Sequence, residues 1–153
     1  MKIKLTFNIV DTLNDEIEIT INAKQKTEEL QKIINNIEAI SNEINTIIGT
    51  KNNEAYVISI KDVIKFYSEE QKCFCETTEG IFYIKKRLYE LEEKLDKNQF
   101  IRISNSCIVN VQHIKSFDLS TTGNIVIKFH NGKFEYVSKR RVSSIMKFLR
   151  ERW

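Results

Sequence analysis

Two short polar stretches carry side chains suited to recognising another molecule. From Phe100 to Ile114 the chain reads FIRISNSCIVNVQHI, two apolar arms joined through Ser104-Asn105-Ser106, an elbow that no buried core requires. A turn of this kind usually faces a partner, and the amide of Asn105 has the donor and acceptor needed to pair with a purine edge. The second stretch is Ser138 followed by Lys139, Arg140 and Arg141, ahead of a run with apolar residues at helical spacing. Ser138 reads as a helix N-cap, which sets the three cations at the positive end of the helix dipole, where each is disfavoured by a few tenths of a kcal/mol to about 1. Placement against the dipole points to an external anion, and an arginine there can also pair with guanine. The alternative is that these long side chains lie in solvent.

Catalysis finds no support. No nucleophile, base and orienting group gather around a recognisable motif, and the two histidines, His113 and His130, sit in strand contexts where a structural role is the plain reading. There is no Gly-rich phosphate loop and no H-E-x-x-H. Of the three cysteines, Cys73 and Cys75 share a strand face without a neighbouring histidine to complete a metal site, so reduced, packed thiols are expected. Neither an enzyme, a cofactor, a metal nor a small-molecule substrate is expected.

The elements that must position the two stretches follow from periodicity. Lys2 to Val10 and Ile17 to Ile21 alternate apolar and polar residues, as a hairpin does. Thr27 can cap a helix that carries Leu30, Ile33, Ile37, Ile40, Ile44 and Ile47 on one stripe and stops at Gly49. That stripe fits either packing on the hairpin or a dimerisation face. The turn-forming run Gly49 to Glu54 divides the chain into an N-terminal α/β segment, residues 1–50, and a second part, residues 54–153. The second part shows short strands at Tyr56–Ile60, Val63–Tyr67, Cys73–Thr77 and Ile81–Ile84, then a helix over Lys86–Asp96 with Leu88, Leu91 and Leu95 on one side. After the elbow come strands at Ile114–Leu119, Ile125–Phe129 and Phe134–Val137, with Asn131-Gly132 as a hairpin turn, and a closing helix through Val142, Ile145, Met146 and Leu149. The expected class is mainly β with short helices.

With 153 residues and 41% apolar content the chain can bury a real core. No stretch approaches the roughly 20 apolar residues of a membrane span, and the start lacks a signal-peptide run, so the cytoplasm is the expected location. The net charge of +3 hides an asymmetry, because residues 1–50 hold five lysines and eight acidic groups while residues 51–153 hold 19 basic and 13 acidic ones. A basic second part joined to an acidic start suits nucleic acid at one end and a protein contact at the other. Two ordinary solvated surfaces would look the same on charge alone.

Phe100, Arg102, Ser106, Val109, Asn110 and Ile114 form an F-x-R-x-x-x-S-x-x-V-N-x-x-x-I pattern that resembles the hallmark of the LytTR DNA-binding domain of bacterial transcriptional regulators. The resemblance runs from about Tyr56 to Trp153 and takes in Asp62–Tyr67, Arg87–Glu92, Phe129–Lys133 and Val137–Arg141. It implies an elongated β fold that binds double-stranded DNA through loops, with contacts from Gln71, Lys72, Arg102, Ser104, Asn105, Ser106, Lys139, Arg140 and Arg141. Glu69 and Glu70 depart from what a phosphate-facing loop wants. It further implies a homodimer on paired direct repeats and, for a chain without room for a receiver domain, a regulatory membrane protein as partner. The competing reading is a protein-interaction adaptor that keeps the β fold without binding DNA.

Overall fold

A computed structural model describes residues 19–153. Its large antiparallel sheet contains β1 (Thr46–Lys51), β2 (Glu54–Ser59), β3 (Val63–Glu69), β4 (Lys72–Thr77), β5 (Gly80–Ile84), β6 (Phe100–Ser104) and β7 (Cys107–Asn110), in the order β2-β1-β5-β4-β3-β7-β6. A smaller sheet of β8 (Ile114–Asp118), β9 (Val126–Phe129) and β10 (Phe134–Tyr136) has the order β10-β9-β8. The helices are α1 (Glu28–Asn42), α2 (Leu88–Lys94) and α3 (Val142–Arg150). The fold is mainly β with short helices, as expected.

Two apolar layers hold it together. In the first, α2 turns Leu88 and Leu91 toward the sheet, and these pack with Leu95, Phe66, Cys75, Phe82, Ile84 and Ile108. In the second, Ile127 and Phe129 of the small sheet and Ile145 of α3 close over Ile64, Ile101, Ile103, Cys107 and Val109. Strand β7 serves both layers, so its four residues are all buried, the three apolar ones Cys107, Ile108 and Val109 followed by Asn110. Each fully buried Leu, Ile or Phe contributes about 1.5–3 kcal/mol, which makes this central strand costly to disturb.

Two polar devices join the layers. Asn110 is completely buried, with its amide nitrogen donating to the Val63 carbonyl at 2.8 Å and its side-chain oxygen accepting from the Gln112 N–H at 3.0 Å. The hallmark asparagine is therefore a brace between the start of β3 and the chain after β7. Across the sheets, Lys65 Nζ lies 3.4 Å from Glu76 and 2.5 Å from Glu135, and Lys133 bonds the other oxygen of Glu76. Burial by itself would raise the pKa of Glu76, but the hydrogen bonds and charges of Lys133 and Lys65 outweigh it and hold the carboxyl below its usual value.

The N-terminal expectations need correction where they meet the described residues. Thr27 caps α1 as expected, accepting from the Leu30 N–H at 3.2 Å, but the helix ends at Asn42 and not at Gly49. Ile47 enters the first apolar layer from β1, and residues 46–51 pair with β2. Two β-branched neighbours followed by Asn52-Asn53, with φ of 51° and 63°, favour a hairpin over another helical turn. Gly49 is no helix stop: a Cβ there would lie 2.6 Å from Ile58 Cδ1 and 2.7 Å from Phe82 Cβ, so only glycine lets the strand lie this close. Most of the hairpin expected over Lys2 to Ile21 lies outside the described residues.

Candidate nucleic-acid interface

The polar stretches meet at one end of the large sheet. The β3–β4 turn places Glu70 and Gln71 at φ 48° and 65°, the double positive φ that matches strand twist in a two-residue hairpin. The β6–β7 turn is the Ser104–Ser106 elbow, and a register shift between Arg102 and Ser104 tilts it out of the sheet. The Ser68 N–H donates to the Ser106 carbonyl at 2.9 Å, which ties the end of β3 to the elbow. On the other flank the Ser138 N–H donates to the Ile103 carbonyl at 2.9 Å and fixes the basic run beside β6. A shallow hollow of about 520 Å³ between the two turns is lined by Ser68, Gln71, Lys72, Arg87, Tyr89, Arg102 and Asn105.

Within the elbow the side chains divide by role. Asn105 and Ser106 are exposed, and the Asn105 amide makes no hydrogen bond among the described residues. Ser104 Oγ accepts from the Ser106 N–H at 3.2 Å and closes the turn. Arg102, expected among the DNA contacts, is instead drawn inward. Its Nε donates to the Ser104 carbonyl at 2.7 Å, Nη2 to the Asn105 carbonyl at 2.5 Å and Nη1 to Glu92 at 2.7 Å. With its side chain only 13% exposed, it holds the elbow by both carbonyls. Cys107, next in the chain, is buried, and burial pushes its thiol up to about 12, so it is no nucleophile.

Lys139 and Arg140 are exposed and Arg141 is half-buried. Ser138 is not the side-chain cap the sequence suggested: its hydroxyl makes no capping bond, and residues 139–141 form a single 3₁₀ turn ahead of α3. The cations thus stand just before the helix, held by backbone bonds at Ser138. Gln71 and Lys72 are exposed at the facing turn, beside the exposed Glu69 and Glu70. Sequence reasoning missed Arg87, whose Nη1 donates to the Gln71 carbonyl at 3.2 Å. The available signal was the basic triplet Lys85-Lys86-Arg87, read only as the lead-in to a helix.

A family model described as the LytTr DNA-binding domain matches residues 53–150, a span that contains every one of these loops. The chain belongs to the LytTR family. Relatives named uncharacterised HTH-type transcriptional regulators, from Staphylococcus aureus strains MSSA476 and MW2, are each 34% identical over 145 residues and cover 95% of both chains. That span reaches beyond the LytTR domain into the N-terminal segment. Among solved structures, the LytTr DNA-binding domain of a Bacillus cereus protein described as a methyl-accepting/DNA response regulator superposes with a TM-score of 0.67 at 26% identity, over 69% of this chain and 97% of that one. In this LytTR chain no helix among the described residues is long and apolar enough to cross a membrane. The helices α1, α2 and α3 are separated by strands.

Proposed function

We propose that this chain is a sequence-specific DNA-binding transcriptional regulator that acts in the cytoplasm and reads the major groove through loop side chains. The observation that carries the reading is the convergence of the elbow, the β3–β4 turn and the basic run at one end of the sheet, pinned by the Ser68–Ser106 and Ser138–Ile103 backbone bonds. In this reading Asn105 and Arg140 meet base edges, with Gln71 and Ser106 beside them, while Lys139, Arg141 and Lys72 hold phosphates and set the register. Arg102 and Ser104 act from behind by shaping the elbow. A homodimer on paired direct repeats fits an α1 whose apolar residues include Ile40, 67% exposed. A membrane protein that restrains the regulator is a candidate partner for the same segment.

The test is a binding titration over a salt series, on a site selected from genomic fragments and on its scrambled version. With about six phosphates neutralised, log K against log salt should fall with a slope near −5, from about −0.9 per phosphate. Tight preference for the selected site with that slope supports the regulator. No measurable binding to either DNA supports the adaptor reading instead.

A further inference from the structure

We propose that Lys85, Lys86 and Arg87, at the corner where β5 passes into α2, form a second phosphate-holding site that grips DNA on the side of the elbow opposite Lys139–Arg141. The proposal rests on the DNA-binding reading above and adds residues that reading does not use. Sheet order supplies the placement: the elbow joins β7 to β6, the basic run touches β6 from its outer side, and β4 and β5 lie in the other direction across β3. The β4–β5 register pairs Cys73 with Ile84, so one step further it sets Lys72 opposite Lys85.

Like charges directly opposite on neighbouring strands are destabilising, and folds normally relieve them with a nearby carboxylate. Here Glu69 stands opposite Lys72 on β3, yet among the described residues no ion pair joins it to Lys72 and none involves Lys85. Lys72, Lys85, Lys86 and Arg87 are all exposed, and among the described residues none forms an ion pair within 4.0 Å. Lys65, Lys128 and Lys133, by contrast, each have an acidic partner. A cationic cluster without ion pairs beside the reading turn is what an external polyanion would neutralise. Arg87 links the two tasks, since one guanidinium N–H holds the Gln71 carbonyl while the side chain stays exposed along the hollow shared with Asn105.

The test compares Lys85→Ala/Lys86→Ala with Lys61→Ala/Lys115→Ala in the full chain. The second pair removes the same charge from exposed positions at the opposite end of β3, where the His113 ring meets the Lys61 carbonyl. Thermal melting checks that both are folded. The corner variant should make the salt slope shallower by about 1.8, from two contacts at about 0.9 each, and weaken preferred and scrambled DNA by the same factor. The control should leave the slope within about half a unit of the unaltered chain. A corner variant indistinguishable from the control overturns the second site and leaves the DNA-binding reading standing. An unaltered chain that binds no DNA overturns both.

Discussion

Arg102→Lys isolates shape from charge at the elbow. The arginine fork reaches three oxygens at once, the Ser104 and Asn105 carbonyls and Glu92. A lysine ammonium can keep one of these, most readily the carboxylate, so two hydrogen bonds from a charged donor are lost. Such bonds are typically worth about 1.5–3 kcal/mol, but the carbonyls freed here lie at an exposed turn and regain water. The expected stability loss is therefore about 2 kcal/mol, a fall in melting temperature of about 4–8 °C. Because the positive charge remains, binding to scrambled DNA should change by less than about twofold. On the preferred site the loosened elbow presents Asn105 in several orientations, and affinity should fall by about tenfold, or about 1.4 kcal/mol. Fluorescence anisotropy on both DNAs, at one salt concentration and well below the melting transition, reads the two effects separately. Equal losses on the two DNAs, or a preferred-site affinity like that of the unaltered chain, would refute the positioning role.

Asn105→Ala and Arg140→Ala should each cost about 1–3 kcal/mol on the preferred site, with Asn105→Ala nearly neutral on scrambled DNA; Lys139→Ala should weaken both DNAs alike and make the salt slope about one unit shallower, all by the same titration. Glu76→Gln should destabilise by about 3 kcal/mol at pH 7 by urea unfolding, at the low end for a buried pair because Lys133 is 60% exposed. A carboxyl held below its usual pKa stabilises above the unfolded value and loses that contribution as pH falls through the folded one, so the gap between Glu76→Gln and the unaltered chain should narrow below about pH 4. Removing residues 1–42, which spares β1, should leave sequence preference intact and weaken cooperative occupancy of paired sites in a gel shift; loss of preference by the folded truncation would place α1 in the reading surface.

The strands after Glu54 were legible because their residues alternate or cluster at a period that one buried face dictates, and Leu88, Leu91 and Leu95 announced α2 in the same way. The stretch from Ile44 to Gly49 was not. Its isoleucines, at 44, 47 and 48, continue the helical spacing of α1, and what overrides that spacing is pairing of residues 46–49 with Ser59, Ile58, Val57 and Tyr56, which no local pattern reveals. The corner Lys85-Lys86-Arg87 was visible as a charge run, yet its neighbourhood with Lys72 and Gln71 depends on the β4–β5 register.

The elbow shows why a motif does not by itself sort its polar residues into those that read and those that build. Arg102 and Asn110 both look like surface residues by type, and charge alone favours Arg102 as a phosphate contact. Yet Asn110 is fully buried because the chain bends on both sides of the β3–β7 pair and leaves backbone groups at Val63 and Gln112 that need partners. Arg102 turns inward because a tilted turn exposes two carbonyls on the side where Glu92 of α2 supplies the counter-charge. The Asn105 side chain is left with no internal partner among the described residues, at the tip of a turn whose backbone Arg102 holds. A reader side chain must be free at its end and rigid at its base, and in the proposed reading the inward arginine and the buried asparagine supply that rigid base for Asn105.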